Sequence, residues 1–160
     1  MNRLLTFGTV VVLALASLGL LLAQSNSQAG TWKLNVAKSK YVNVQAPKNE
    51  TRIVEPQGAG AKISFEGVAG DGSRIAWSYT TNYDGKDSAI SGAGVPMGAD
   101  TIATKRVDAN TTTSTFKKVS KAVRTTRTVV SKDGKVTTIT SKWTNEQGQP
   151  ASQTAIWDKQ

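Results

Sequence analysis

The chain has 160 residues, a formal net charge of +9, and neither histidine nor cysteine. Without them, histidine-based triads, thiol nucleophiles, disulfides, and histidine- or thiolate-ligated metal sites cannot be built. Carboxylates, lysine and tyrosine are left, and no constellation of them points to catalysis, so the expectation is a non-enzyme without cofactor or metal.

The N-terminus reads as an export signal. Arg3 supplies a positive start, Val10 to Ala23 forms a 14-residue apolar run, and small residues at Ser27 and Ala29 fit cleavage after Ala29. The run is shorter than the roughly 20 residues a spanning helix needs. Residues 1–29 are therefore read as a signal peptide and 30–160 as one domain, with no transmembrane segment in the mature chain. That assignment places the protein in the periplasm or outside a bacterial cell.

After residue 30 no stretch keeps a 3.6-residue period. Short alternating runs recur instead, separated by turn signals such as GAG (58–60), GDG (70–72), DGK (84–86), DAN (108–110), DGK (133–135) and NEQGQP (145–150). The expected strands are 30–36, 49–55, 61–68, 73–83, 86–91, 101–107, 111–119, 121–131, 135–144 and 151–159. The clearest is RIAWSYTTNY (74–83), with Ile75, Trp77, Tyr79, Thr81 and Tyr83 on one face and Ala76, Ser78, Thr80 and Asn82 on the other. Strands this short, alternating and hairpin-linked predict an antiparallel up-and-down barrel of about 8–10 strands, because closure removes exposed edges and no long crossover is present.

Charge is concentrated late in the chain. Residues 101–143 hold ten basic residues against two acidic ones, which suggests an anionic envelope surface as a second partner or a solvated face. Nucleic acid is disfavoured because no reader motif is present. Asp84 and Asp87 flank a turn, and turn chemistry accounts for both.

Three motifs carry a resemblance. GTWKL (30–34), TRTVVSKDGK (126–135) and TAIWDK (154–159) resemble, in order, the first strand, a late hairpin and the last strand of the calycins, the superfamily of lipocalins and fatty-acid-binding proteins. The resemblance implies that Trp32 closes the barrel base, with Gly30 allowing close approach. It also implies that Arg127 matches one of two arginines that, with a tyrosine, hold a ligand carboxylate. The other two positions are Ala155 and Trp157 here, and the helical lid of fatty-acid-binding proteins has no counterpart in AKSKYVNVQAPK (37–48).

Phe65, Trp77, Tyr79, Tyr83, Phe116 and Trp157 are the expected cavity lining for a small apolar or amphipathic molecule, with Arg127 at its anionic head. The alternative is that these aromatics fill the barrel, and that the basic strands 101–143 attach it to an anionic polymer or lipid surface. From sequence, Arg127 has two open orientations: inward toward a ligand, or outward into a basic patch with Lys117, Lys118, Lys121, Arg124, Lys132 and Lys135.

Overall fold

Every strand of the chain pairs antiparallel with its neighbours, which is what alternating runs joined by tight turns dictate. The computed structural model describes residues 27–160. Most of the segment read as a signal peptide, residues 1–26, therefore lies outside the described residues.

Twelve strands follow one another: β1 (Gly30–Leu34), β2 (Lys40–Val42), β3 (Asn49–Gln57), β4 (Gly60–Val68), β5 (Arg74–Thr81), β6 (Asp84–Ala89), β7 (Ser91–Ala93), β8 (Thr101–Arg106), β9 (Thr111–Lys118), β10 (Lys121–Val130), β11 (Val136–Thr144) and β12 (Pro150–Lys159). Ten of them are the expected strands with shifted ends. The other two, β2 and β7, have three residues each, too few for alternation to reveal them.

The sheet order is β6-β8-β9-β10-β11-β12-β1-β3-β4-β5-β7, with β2 added to β12. The two ends of that order, β6 and β7, are successive pieces of one segment, 84–93. Its first half pairs with β8, as in Ser88↔Ile102. Its second half pairs with β5, as in Trp77↔Gly92. The sheet thus curls into a nearly closed barrel whose seam is this divided strand. Gly92 makes the seam possible: its φ is +117°, and a Cβ there would sit 2.1 Å from the Ala76 carbonyl oxygen.

Inward side chains alternate with outward ones along every wall. The core comprises Trp32, Leu34, Val54, Ile63, Ile75, Trp77, Ile102, Phe116, Ile139 and Trp157 among others. Trp32 is fully buried and plugs the end at which the chain enters. Lys159 Nζ lies 5.2 Å from the centre of its ring, and Gly30, at φ +123°, leaves room for that lysine.

Between β1 and β3 the chain makes a 3₁₀ turn at Val36–Lys38, then β2, then an irregular stretch. No α-helix occurs among the described residues. Val44, Gln45 and Pro47 from this stretch, with Gly94, Val95 and Pro96 from the loop after β7, edge one end of the interior.

Candidate functional site: the barrel cavity

Large rings from β4, β5, β9 and β12 converge in the interior, and beside them lies a cavity of about 330 Å³. That volume lies at the lower end of the range for small-molecule sites. One wall is aromatic. Phe65 stacks on Trp77 with ring centres 4.2 Å apart and planes at 12°, while Trp157 meets Phe65 edge-on at 6.0 Å. Phe116 meets Trp77 edge-on at 5.9 Å. The register explains the cluster: Phe65 pairs with Trp77 across β4 and β5.

The other wall is polar. Thr104, Thr112, Ser114, Thr126, Thr128 and Ser141 project inward from β8, β9, β10 and β11 and line the same space. Buried hydroxyls satisfy one another along this wall, as Thr104 with Ser114 at 3.0 Å and Thr126 with Ser141 at 2.9 Å. Threonine fits a pleated strand in any case. Here its hydroxyl also gives the barrel a polar inner face.

Two arginines and one acid also face this interior. Arg52 on β3 is 3% exposed. Its Nη2 donates to Gln28 Oε1 at 2.6 Å, whereas its buried Nη1 has no protein partner. Gln28 in turn donates through Nε2 to Thr112 Oγ1 at 3.0 Å. Burial pushes the Arg52 guanidinium below its ordinary pKa, opposed by Tyr79 and Tyr83.

Arg124 on β10 is the second. Its Nη2 donates to Ser141 Oγ at 3.0 Å, and its guanidinium lies 4.6 Å from the centre of the Trp143 ring. Burial lowers its pKa to about 10, opposed by Glu50 and then Tyr41. Glu50 on β3 is pushed up to about 7, chiefly by burial, with Arg124 pulling it back.

Of the residues expected at the site, Phe65, Trp77, Tyr79, Phe116 and Trp157 line the cavity together. Tyr83 is not among the lining residues: it is buried in the core, in the turn between β5 and β6, with the Arg106 guanidinium 4.4 Å from its ring centre. Its φ of +58° turns it out of the face that Trp77 and Tyr79 share.

Arg127 is a second correction. It is exposed on the outer face of β10, because Thr126, Thr128 and Val130 take the inner one opposite Ser141, Ile139 and Thr137. Arg124, expected in the outer basic patch, faces inward instead. A register shift between Ala122 and Arg124 against β9 sits beside it. Nothing in the alternation of KAVRTTRTVV distinguishes the two faces, since each carries one arginine, a threonine and a valine.

Sequence reading missed Gln28, Glu50, Arg52 and Arg124. Gln28 fell within the presumed signal peptide. Glu50 and Arg52 belong to NETRIVEPQ, where inward Val54 and outward Ile53 are equally apolar neighbours.

No protein-family model matches the chain, and no curated protein sequence matches it. A solved structure does. The zebrafish ileal bile acid-binding protein, determined in complex with cholic acid, superposes with a TM-score of 0.54. The match covers 84% of this chain and 99% of that one, at 13% identity. The fold is calycin-like. At that identity the likeness concerns the path of the backbone alone.

Proposed function

We propose that this protein is a non-catalytic carrier or sensor that holds a small amphipathic molecule inside its barrel. The observation that carries the reading is the cavity itself, lined by aromatic rings together with hydroxyls and buried guanidinium groups. A completely filled core would leave no room for a ligand. Here about 330 Å³ separates the walls, and polar atoms lie buried along it. The structural neighbour was determined with cholic acid bound, which supports a small-molecule reading.

Export to the envelope or beyond belongs to the same proposal and rests on the N-terminal sequence. The non-enzymatic character belongs to the proposal too and rests on the sequence, which holds neither histidine nor cysteine.

The test is native mass spectrometry of the protein purified from its own envelope fraction, followed by solvent extraction. A discrete additional mass that extracts as an amphiphile is the expected result. A bare protein mass, with no uptake of added apolar probes, would overturn the reading. Attachment to an anionic polymer, the competing function, would then be sought by salt titration, since binding through surface lysines weakens steeply with ionic strength.

A further inference from the structure

Two-residue hairpin turns of the I′ type need positive φ at both central positions, which is why Asn-Gly and Asp-Gly dominate them. The turn between β9 and β10 departs from that preference. Lys118 pairs with Lys121 across it, and its central residues are Val119 at φ +49° and Ser120 at φ +62°. A β-branched side chain resists that backbone conformation. Burial does not offset the strain: Val119 is 83% exposed, the most exposed of the large hydrophobic side chains among the described residues. A valine here serves neither the turn nor the core.

The position of the turn supplies a reason. β9 starts beside the plug, where Thr112 is bonded to Gln28, and so ends at the mouth. There the Val119 amide donates to Asp100 Oδ2 at 2.8 Å, and a Cβ at Gly98 would lie 3.4 Å from Lys118 Nζ. These contacts join the turn to the 94–100 loop, whose Gly94, Val95 and Pro96 edge the cavity. Val44, another exposed valine, lies on the same rim. Lys118 and Lys121 flank the tip, both exposed, and neither is in an ion pair among the described residues. Neighbouring Lys117, in contrast, is held by Asp87 at 2.7 Å.

We propose that the mouth end of the barrel docks on an anionic phospholipid bilayer, with Val119 entering the headgroup layer and Lys118 and Lys121 against the phosphates. An exposed apolar tip between unpaired cations combines the two sources of interfacial binding, apolar burial and attraction to anionic lipid. A soluble anionic polymer would draw on the lysines and leave the valine without a use. The plugged end does not offer the same pair, because its exposed valine, Val107, is followed by Asp108. Docking by the mouth turns the cavity toward the bilayer, so that a ligand passes between them without crossing bulk water. That consequence rests on the cavity reading above; the docking itself does not.

The chain has no cysteine, so a single introduced one carries a polarity-sensitive fluorescent label at a known position. The protein purified from its envelope fraction is mixed with vesicles of equal parts phosphatidylglycerol and phosphatidylcholine, or of phosphatidylcholine alone. A label on Val119→Cys should shift to the blue on the anionic vesicles, and one on Val107→Cys should not. In co-sedimentation, unlabelled Val119→Asn should bind about tenfold more weakly than the wild type. Lys118→Gln combined with Lys121→Gln should bind about 30-fold more weakly. Asparagine suits positive φ, so Val119→Asn should be at least as stable as the wild type in urea, which separates lost docking from lost folding. None of the three side chains lines the cavity, so each variant should bind the neutral dye Nile red as the wild type does.

Equal binding to the two kinds of vesicle would overturn the proposal. So would wild-type affinity in Val119→Asn, or a blue shift at position 107 and not at 119. Binding to soluble dextran sulfate with none to anionic vesicles would also overturn it and make an anionic polymer the partner. Failure of Nile red to bind the wild type overturns the cavity reading, a separate outcome that the vesicle measurements do not depend on.

Discussion

The indole Nε1 of Trp32 donates to the backbone carbonyl of Gln28 at 2.8 Å, closing the barrel with a residue that precedes the first strand. The same Gln28 accepts from Arg52 and donates to Thr112. A chain cut after Ala29, as the sequence pattern suggests, would leave two buried donors, Trp32 Nε1 and Arg52 Nη2, without their acceptors.

Each orphaned buried donor costs about 1–3 kcal/mol. A protein beginning at Gly30 should therefore be about 2–6 kcal/mol less stable than one beginning at Ser27, a gap that urea melts of the two would read. If the N-terminal segment is removed on export, as proposed, the processed protein should begin at or before Ser27, which intact-mass analysis would determine. Equal stability of the two lengths would remove Gln28 from the fold's requirements.

Glu50 gives stability a pH dependence of unusual sign. Burial raises its pKa from 4.5 to about 7 in the folded protein, so between these values the folded state keeps a proton that the unfolded chain has released. Stability should fall as pH rises through that window and level off above it, by on the order of 2 kcal/mol once the side of Glu50 that meets solvent is discounted. The facing groups are Arg124 from β10 and Tyr41 from β2. Glu50→Gln should flatten the slope in chemical melts between pH 5 and 8. Its gain at pH 8 should be smaller than the slope implies, because Arg124 loses its acid.

How much of this was legible depended on how cleanly each strand separates its two faces. RIAWSYTT in β5 puts Ile75, Trp77 and Tyr79 on one side with small polar residues opposite, and those three line the cavity. Ten of the twelve strands followed from similarly plain signals, whereas β2 and β7, of three residues each, did not. β3 and β10 carry arginines, acids or valines on both faces, so hydrophobic alternation could not say which arginine enters. The burial of Arg52 and Arg124 is decided by what the opposite walls offer, hydroxyls and rings contributed by distant strands. A single strand's pattern contains none of that. The family resemblance at TRTVVSKDGK chose Arg127 for the same reason: it matched a motif and had no access to the strand's orientation.

Closure of the barrel at β7 rests on Gly92. A methyl group there would lie 2.1 Å from the Ala76 carbonyl oxygen and 2.6 Å from Trp77 Cα, on a backbone whose φ disfavours any side chain. Gly92→Ala should cost about 2–5 kcal/mol from strain and overpacking together. The loss should be local first, because β7 pairs with only three residues of β5. Hydrogen exchange at the amides of 76–78 should accelerate ahead of that in β11 and β12. Uniform acceleration throughout would mean that the seam and the rest of the barrel open as one unit.

Phe65 and Val130 separate a role in the cavity from a role in the core. Phe65 stacks on Trp77 and lines the cavity, whereas Val130, 2% exposed, belongs to the core and is not among the lining residues. Truncation of a fully buried phenylalanine costs about 3–5 kcal/mol. Phe65 is partly exposed to the cavity, so Phe65→Ala should cost about 2 kcal/mol, and Val130→Ala a similar amount. Only the first removes a wall against which a ligand rests. Nile red affinity should therefore fall about three- to tenfold in Phe65→Ala, with Trp77 emission altered by loss of the stacked ring, and stay at the wild-type value in Val130→Ala. Equal changes in both variants would mean that binding tracks stability, and the dye would then be reporting partly opened protein in place of an occupied cavity.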